Sequence, residues 1–261
     1  VTFDQPVRTV VTIPIIHVEN NSQLVFKSNS STFNCTESYI RSNSVVQSRS
    51  LQFSASSLLE IDLTSKIITD GDGYAAGHGL GAGSGHSLGG SGASHGGRGG
   101  VGKVDAAGLP YGSLIWPKEA GSGGGHGYHV QGTGGAGGNS IQVYADLLIN
   151  NGVISCNGLP GREGGGGGSG GSIAIMAADV TGIGSFLASG GNGGFSGGLI
   201  SGGGGGGGRI AILASNSFTF NGTFDVTGGF LQPTYDLKDP EQAGPGTVFL
   251  DTPLFKVVMT S

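Results

Sequence analysis

The chain has 261 residues, and its 57 glycines are about 22% of them, roughly three times the average usage. Charged residues make up 11% and apolar residues 36%, which excludes both charge-driven disorder and a membrane composition. The net charge of −5, with 12 dispersed Lys and Arg residues, excludes the basic stripe of a nucleic-acid-binding surface. We expect no nucleic-acid partner and no membrane insertion.

The glycines divide the chain into two parts. None lies in residues 1–70, 52 lie in residues 71–208, and 5 lie in residues 209–261. We therefore distinguish a Gly-free N-terminal β segment, 1–70, from a Gly-rich domain, 71–261, and expect the two to be contiguous. The Gly spacing keeps no strict period of three and Pro totals only 9, which excludes a collagen triple helix.

The chain also contains an internal repeat. Four segments of alternating apolar residues superpose, and their first apolar residues are Ile141, Ile173, Ile210 and Val248, at spacings of 32, 37 and 38 residues. Two further short apolar segments follow each of the first three, and residues 51–72 fit the same pattern. Each repeat therefore predicts three short strands with one apolar face.

Stacked repeats of three short strands are typical of a right-handed parallel β-helix, because one repeat cannot bury its apolar face alone. We predict this all-β fold. The long Gly tracts at 164–168 and 202–208 each precede a first strand. We interpret them as loops extruded from one corner, with simple disorder as the alternative.

Several short motifs in the Gly-rich part resemble those of a known group of proteins. In order they are His95-Gly96-Gly97-Arg98-Gly99-Gly100, Tyr111-Gly112-Ser113-Leu114, Pro117 and Gly121-Ser122-Gly123-Gly124, followed by the Gly-Gly-Ser-Ile and Gly-Gly-Arg-Ile strand starts. Across residues 70–229 the chain resembles the large glycine-rich proteins of plant, protist and invertebrate cell surfaces. The resemblance implies an extracellular β-helical segment of a longer protein with a structural or adhesive role. It implies no catalytic residues.

Four N-glycosylation sequons begin at Asn20, Asn29, Asn34 and Asn221. Together with the low charge and the Ser/Thr-rich composition, they favour a secreted or cell-surface location. The two cysteines, Cys35 and Cys156, are compatible with one disulfide or with two free thiols, and the sequence does not choose between them.

Few residues suggest chemistry. Asp70 and Asp72 flank a glycine at a spacing that suits calcium, but a solvated turn without a metal is the better interpretation. Trp116 and Tyr111 are candidates for stacking on a ligand, although Trp116-Pro117 also suits a simple loop anchor. Five histidines of the Gly-rich part are interpreted as caps on loop carbonyls.

The carboxylates beside the strands share no register in the repeat alignment, so no catalytic pair is predicted. These residues are Asp62, Asp146, Asp179 and Asp225. We expect a non-enzymatic, glycosylated structural subunit without a cofactor, which assembles with copies of itself into a fibril or matrix. No polar cap follows Val257-Val258, which favours end-to-end assembly. The alternatives are a carbohydrate- or ice-binding module, and a polysaccharide hydrolase or lyase.

Overall fold

A computed structural model describes residues 2–3, 8–102, 107–127, 132–196, 200–231 and 242–260, and this part of the chain is all-β, as predicted. Short strands form a seven-stranded parallel sheet. In sheet order they are β1 (Thr2–Phe3), β4 (Gln23–Phe26), β6 (Val45–Ser48), β8 (Lys66–Ile68), β10 (Val153–Ser155), β12 (Ser185–Leu187) and β16 (Thr223–Asp225).

Longer strands form a nine-stranded sheet. From one edge to the other they are β18 (Lys256–Met259), β17 (Thr247–Asp251), β15 (Arg209–Phe220), β11 (Ser172–Gly182), β9 (Ser140–Asn150), β7 (Leu51–Ile61), β5 (Ser30–Ile40) and β2 (Arg8–Thr12), with β3 (Ile15–Val18) also on β5. A separate antiparallel pair joins β13 (Phe195–Ser196) to β14 (Ile200–Ser201).

The strand register confirms the repeat alignment made from the sequence. Ile173 of β11 pairs with Ile141 of β9 on one side and with Ile210 of β15 on the other, and Ile210 pairs with Val248 of β17. Leu51 of β7 pairs with Ile141. Both sheets therefore run without a break from the Gly-free segment into the Gly-rich part.

The predicted parallel β-helix is wrong. The strands form two open sheets and a small antiparallel pair, and β18 runs antiparallel to β17, so the larger sheet is mixed. In the described residues no third row of strands closes these sheets into a helix. The first two strands predicted for each repeat are one strand of 11 or 12 residues, and the Gly-rich return segments lack the side chains that strands pack with.

The hydrophobic core lies between the two sheets. Inward residues of the nine-stranded sheet, such as Ile173 and Leu148, are fully buried together with Ile154 and Phe186 of the seven-stranded sheet. The Phe186 ring stands 5.0 Å from that of Phe220 and 5.6 Å from that of Phe224. The alternating apolar pattern thus places one side of the long strands in a single core.

The Gly-rich return segments pack as a bundle of extended chains, which we call the glycine bundle: residues 89–102, 121–127, 132–138, 157–171, 188–194, 202–208 and 226–229. Its hydrogen bonds repeat every three residues. Gly167 and Gly170 donate to the carbonyls of Gly203 and Gly206, at 2.9 and 3.0 Å. Three residues per turn without internal hydrogen bonds is the geometry of polyproline II.

Segment 202–208 lies in the middle of this bundle. Gly205 donates to Gly191 O at 2.8 Å, and Gly206 donates to Ala93 O at the same distance. A Cβ added to Gly205 would stand 2.0 Å from Gly168 O. Any side chain here would collide with a neighbouring backbone, so these residues are glycine because other chains approach from every side.

Tight turns in the Gly-free segment use asparagine at positions where glycine is common elsewhere. Asn20, Asn21, Ser42 and Asn43 have φ between 58° and 61°, and Asn43 Nδ2 donates to Asn21 Oδ1 at 2.9 Å in the turn below. Asparagine tolerates this left-handed conformation better than most residues do. Stacked Asn turns therefore replace Gly turns in residues 1–70.

Candidate functional site

The regular pairing of each of the five longest strands, β5, β7, β9, β11 and β15, is interrupted near its middle. The unpaired residues at these interruptions are Thr36, Ser56, Ser57, Asp146, Ala178, Ser215 and Asn216. Two of the strands, β7 and β15, carry one extra residue there, which is a β-bulge, and the interruptions follow one another across the sheet. The residues immediately before them are small and in register: Cys35, Ala55, Ala145, Ala177 and Ala214.

A shallow trough runs along this line of interruptions on the outer face of the nine-stranded sheet, and we call it the outer groove. Three concavities of about 290, 500 and 480 Å³ form it. The first two share Asn34 and Cys35, and the last two share Ala145, Asp146 and Met176. The groove thus continues from β2 to β17, across the strands.

One side of the groove is lined by a column of outward side chains in strand register. From β5 to β15 the column reads Asn34, Ser54, Tyr144, Met176 and Leu213. Between β5 and β15 the column holds no threonine, whereas a regular ladder of exposed threonines would favour the ice-binding alternative. Packed polyproline II helices of glycine would also suit an ice-binding module, and the glycine bundle has this packing.

Residues 111–120 form a loop, the sheet-covering loop, that lies against this outer face. Arg209 Nε of β15 donates to Tyr111 O at 2.8 Å, and Ser172 Oγ of β11 donates to Glu119 O at 2.6 Å. Between these anchors the Trp116 ring stands 5.6 Å from the ring of Tyr144. The loop therefore holds its indole beside the one aromatic residue of the groove column.

The charges of the groove are acidic. Asp251 binds Lys256 Nζ at 2.8 Å, and Asp179, just beyond the bulge, accepts hydrogen bonds from Asn216 and Ser217. Asp146 is exposed, and its carboxylate has no partner among the described residues. Asp146 is thus a free hydrogen-bond acceptor at the centre of the groove.

A buried histidine lies where the sheet-covering loop meets the glycine bundle. The His95 ring packs 4.7 Å from that of Tyr111, and its Nδ1 lies 2.8 Å from Gly170 O. Its Nε2 is buried and has no hydrogen-bond partner among the described residues. Complete burial lowers the pKa of His95 to about 4, and the nearby Arg209 guanidinium acts in the same direction. His95 is therefore neutral near pH 7 and caps a loop carbonyl, as interpreted from the sequence.

The predicted calcium pair lies at a turn that contacts the next repeat. Asp70 Oδ1 accepts hydrogen bonds from Ser155 Oγ at 2.5 Å and from Asn157 N at 2.6 Å. Burial raises the pKa of Asp72. The described residues hold no group of three or more His, Cys, Asp or Glu side chains placed to bind a metal. Asp70 thus ties two repeats together, and calcium binding stays a prediction.

Both cysteines are free thiols in the structure. Cys35 lies at the edge of the outer groove, where burial raises the pKa of its thiol to about 11, and Cys156 is fully buried in the core with a raised pKa of the same origin. Of the two alternatives left open by the sequence, the structure therefore contains the pair of thiols.

The sequon asparagines differ in their surroundings. Asn20, Asn29 and Asn221 are exposed, Asn20 on a left-handed turn. Asn34 is half-buried within β5, and its Nδ2 lies 3.5 Å from Thr12 Oγ1 on the groove face. Three of the four sequons thus present the amide to solvent.

The two aromatic candidates for ligand stacking, Tyr111 and Trp116, differ in their surroundings. The Tyr111 hydroxyl points inward, donating to Ala120 O at 2.6 Å beside Ser122 Oγ at 2.8 Å, so this side chain anchors the sheet-covering loop. Trp116 is half-buried and packs on Tyr144. Only Trp116 lies next to the outer groove.

Sequence reasoning missed the groove and the place of Tyr144 and Asp146 in it. The signal was present as the break between the first and second predicted strand of each repeat, because the pairing of the long strand is interrupted at that break. A break in alternation does not say whether the chain turns a corner or bends within one strand.

Comparisons with known proteins found no matching family model, no matching curated protein and no matching solved structure. The resemblance to glycine-rich cell-surface proteins therefore stays a prediction. In the part of the chain that the structure describes, no helix is long and apolar enough to span a membrane.

Proposed function

We propose that the chain is an extracellular, N-glycosylated structural module that assembles with copies of itself. The observation that carries the proposal is the glycine bundle. Its segments come from distant parts of the chain and bond to one another through backbone groups, as Gly97 does to Gly207 and Gly100 to Gly204. A domain whose segments are joined by many backbone hydrogen bonds resists bending, which suits a protein that bears load or holds other molecules apart.

An open end of the fold supports self-assembly. No described strand pairs with the outer edges of β2 and β3, and an apolar cavity of about 490 Å³ opens there, lined by Ile13, Ile15, Ile16, Leu24 and Phe33. Ile13 and Ile15 are 46% and 49% exposed. Unpaired strand edges with apolar neighbours are surfaces on which another chain adds a strand.

The opposite end favours assembly less than the sequence suggested. Val257 and Val258, after which no polar cap was found, lie in β18, and β18 pairs antiparallel with β17 along Leu250 and Phe249. The chain thereby covers the edge of β17 with its own strand. We therefore place the assembly surface at β2 and β3.

Sedimentation velocity at micromolar concentration tests the proposal. We expect species larger than the monomer for the parent protein and for the control Leu63→Lys, whose side chain is exposed outside this cavity. We expect Ile15→Lys to shift the distribution to monomer, because a desolvated ammonium opposes association. Parent protein that sediments only as a compact monomer would overturn self-assembly.

Secretion from a eukaryotic host tests the glycosylation. Mass spectrometry before and after enzymatic removal of N-glycans should show occupied Asn20, Asn29 or Asn221. Secreted protein without any N-glycan would contradict this part of the proposal.

A further inference from the structure

We propose that the outer groove binds a linear, uncharged polysaccharide laid across the strands, with Tyr144 and Asp146 as its central contacts. This function goes beyond self-assembly, and its central contacts lie on β9, away from the assembly surface at β2 and β3. The two surfaces share Ile13 at the β2 end of the groove. Variants on β9 and at Ile15 therefore test the two proposals separately.

The shape of the groove suits an extended polymer. It crosses seven strands, from β2 to β17, and six spacings of ~4.8 Å give it a length of about 29 Å. It is shallow and open along its course, and its floor is made of small residues such as Ala55, Ala145 and Ala177. A long trough with a small-residue floor admits a chain of rings better than a compact ligand.

The position of the groove disfavours a peptide as its occupant. An extended peptide is bound mainly through backbone hydrogen bonds at a free sheet edge. The groove lies on a sheet face, where β7, β9 and β11 are paired with neighbouring strands except at Ser56, Ser57, Asp146 and Ala178. Recognition here depends mainly on side chains, which suits a ligand that offers hydroxyls and flat apolar ring faces.

The side chains provide both kinds of contact. Tyr144, supported by Trp116, presents an aromatic surface on which the apolar face of a sugar ring can pack. Two residues further along the same strand, the unpartnered Asp146 carboxylate accepts hydrogen bonds from hydroxyls. Polar side chains such as Asn34 and Ser215 lie toward the two ends.

The charge of the groove selects among polysaccharides. The described residues that line its three concavities include Asp146 and Asp251 and no Lys or Arg, and Asp251 is paired with Lys256. A polyanion would meet the uncompensated Asp146 carboxylate, whereas a neutral chain meets an acceptor for its hydroxyls. We therefore expect the groove to prefer neutral over acidic polysaccharides.

Affinity electrophoresis tests the proposal, using bacterially expressed protein so that no glycan occupies Asn34. The probes are hydroxyethylcellulose, a soluble β-1,3-glucan and a mannan, with polygalacturonate as the anionic comparator. We expect retardation by at least one neutral polymer and none by polygalacturonate. Lack of binding to all three neutral polymers, or a preference for polygalacturonate, would overturn the proposal.

Variants locate the binding. Asp146→Leu removes an exposed side chain that forms no hydrogen bond with the described residues and should leave the fold intact, while Tyr144→Ala removes the aromatic surface. We expect Asp146→Leu to weaken binding about tenfold or more, since hydrogen bonds to charged groups contribute about 1.5–3 kcal/mol. We expect Tyr144→Ala to weaken binding as well, because it removes the surface on which the sugar ring packs. The control Phe195→Ala removes an exposed aromatic residue outside the groove and should bind as the parent does. Unchanged binding in both groove variants would overturn the assignment.

Discussion

Arg209 and Tyr111, 98 residues apart in the chain, are joined by a 2.8 Å hydrogen bond from the guanidinium Nε to the backbone carbonyl. Arg209 also donates from Nη1 to Thr247 Oγ1 at 3.0 Å. One side chain on β15 thus links the sheet-covering loop to the neighbouring strand β17. The position of Trp116 beside Tyr144 depends on this anchor.

Replacing Arg209 by Lys should loosen the loop without unfolding the sheets. An ammonium on a flexible stem does not reproduce the two directed hydrogen bonds of the guanidinium. We expect a loss of about 1–2 kcal/mol in the free energy of unfolding, and faster tryptic cleavage after Lys118. Arg162→Lys, at an exposed position, is the matched control. Equal cleavage rates in the two variants would contradict the anchoring role.

Adding one methyl group inside the glycine bundle should destabilise the protein strongly. The Cβ of Gly205→Ala would lie 2.0 Å from Gly168 O, so two backbone segments must separate. We expect a cost of about 3 kcal/mol, at the upper end of the range for overpacking. Gly85→Ala is the control, because its Cβ meets nothing nearer than 3.3 Å. Urea unfolding measures both, and similar stabilities would show that the bundle is looser than the structure shows.

Acidification should weaken the fold through His95. Its pKa is about 4 in the folded protein and near 6.5 when unfolded, so the unfolded chain binds the extra proton between these values. Stability is therefore complete above pH 6.5 and falls as the pH drops toward 4. Between pH 7.5 and 5.0 the loss from this group is about 2 kcal/mol.

Comparison with His95→Gln isolates that contribution, since the other five histidines are present in both proteins. Urea unfolding at the two pH values should show a pH-dependent loss smaller in the variant by that amount. The same loss in both proteins would contradict a buried, neutral His95.

Much of the strand arrangement could be predicted from the amino-acid pattern. The alignment of Ile141, Ile173, Ile210 and Val248 from sequence spacing is the register of the larger sheet. This worked because each strand has one apolar face, and a shift of one residue would turn that face to solvent. The same pattern did not distinguish two strands meeting at a corner from one bulged strand, so the three-strand repeat and the parallel β-helix were wrong.

What the sequence determined by itself is the all-β class, the repeat and the apolar residues of the core, because side-chain alternation records which face of a strand is buried. Tertiary structure alone decided the glycine bundle and the outer groove. Glycine has no side chain and so carries no periodic signal, and the three-residue period of residues 202–208 exists only in their contacts with other segments. The groove likewise exists only once the interruptions in five strands, each an isolated irregularity in its own strand, are stacked by the sheet.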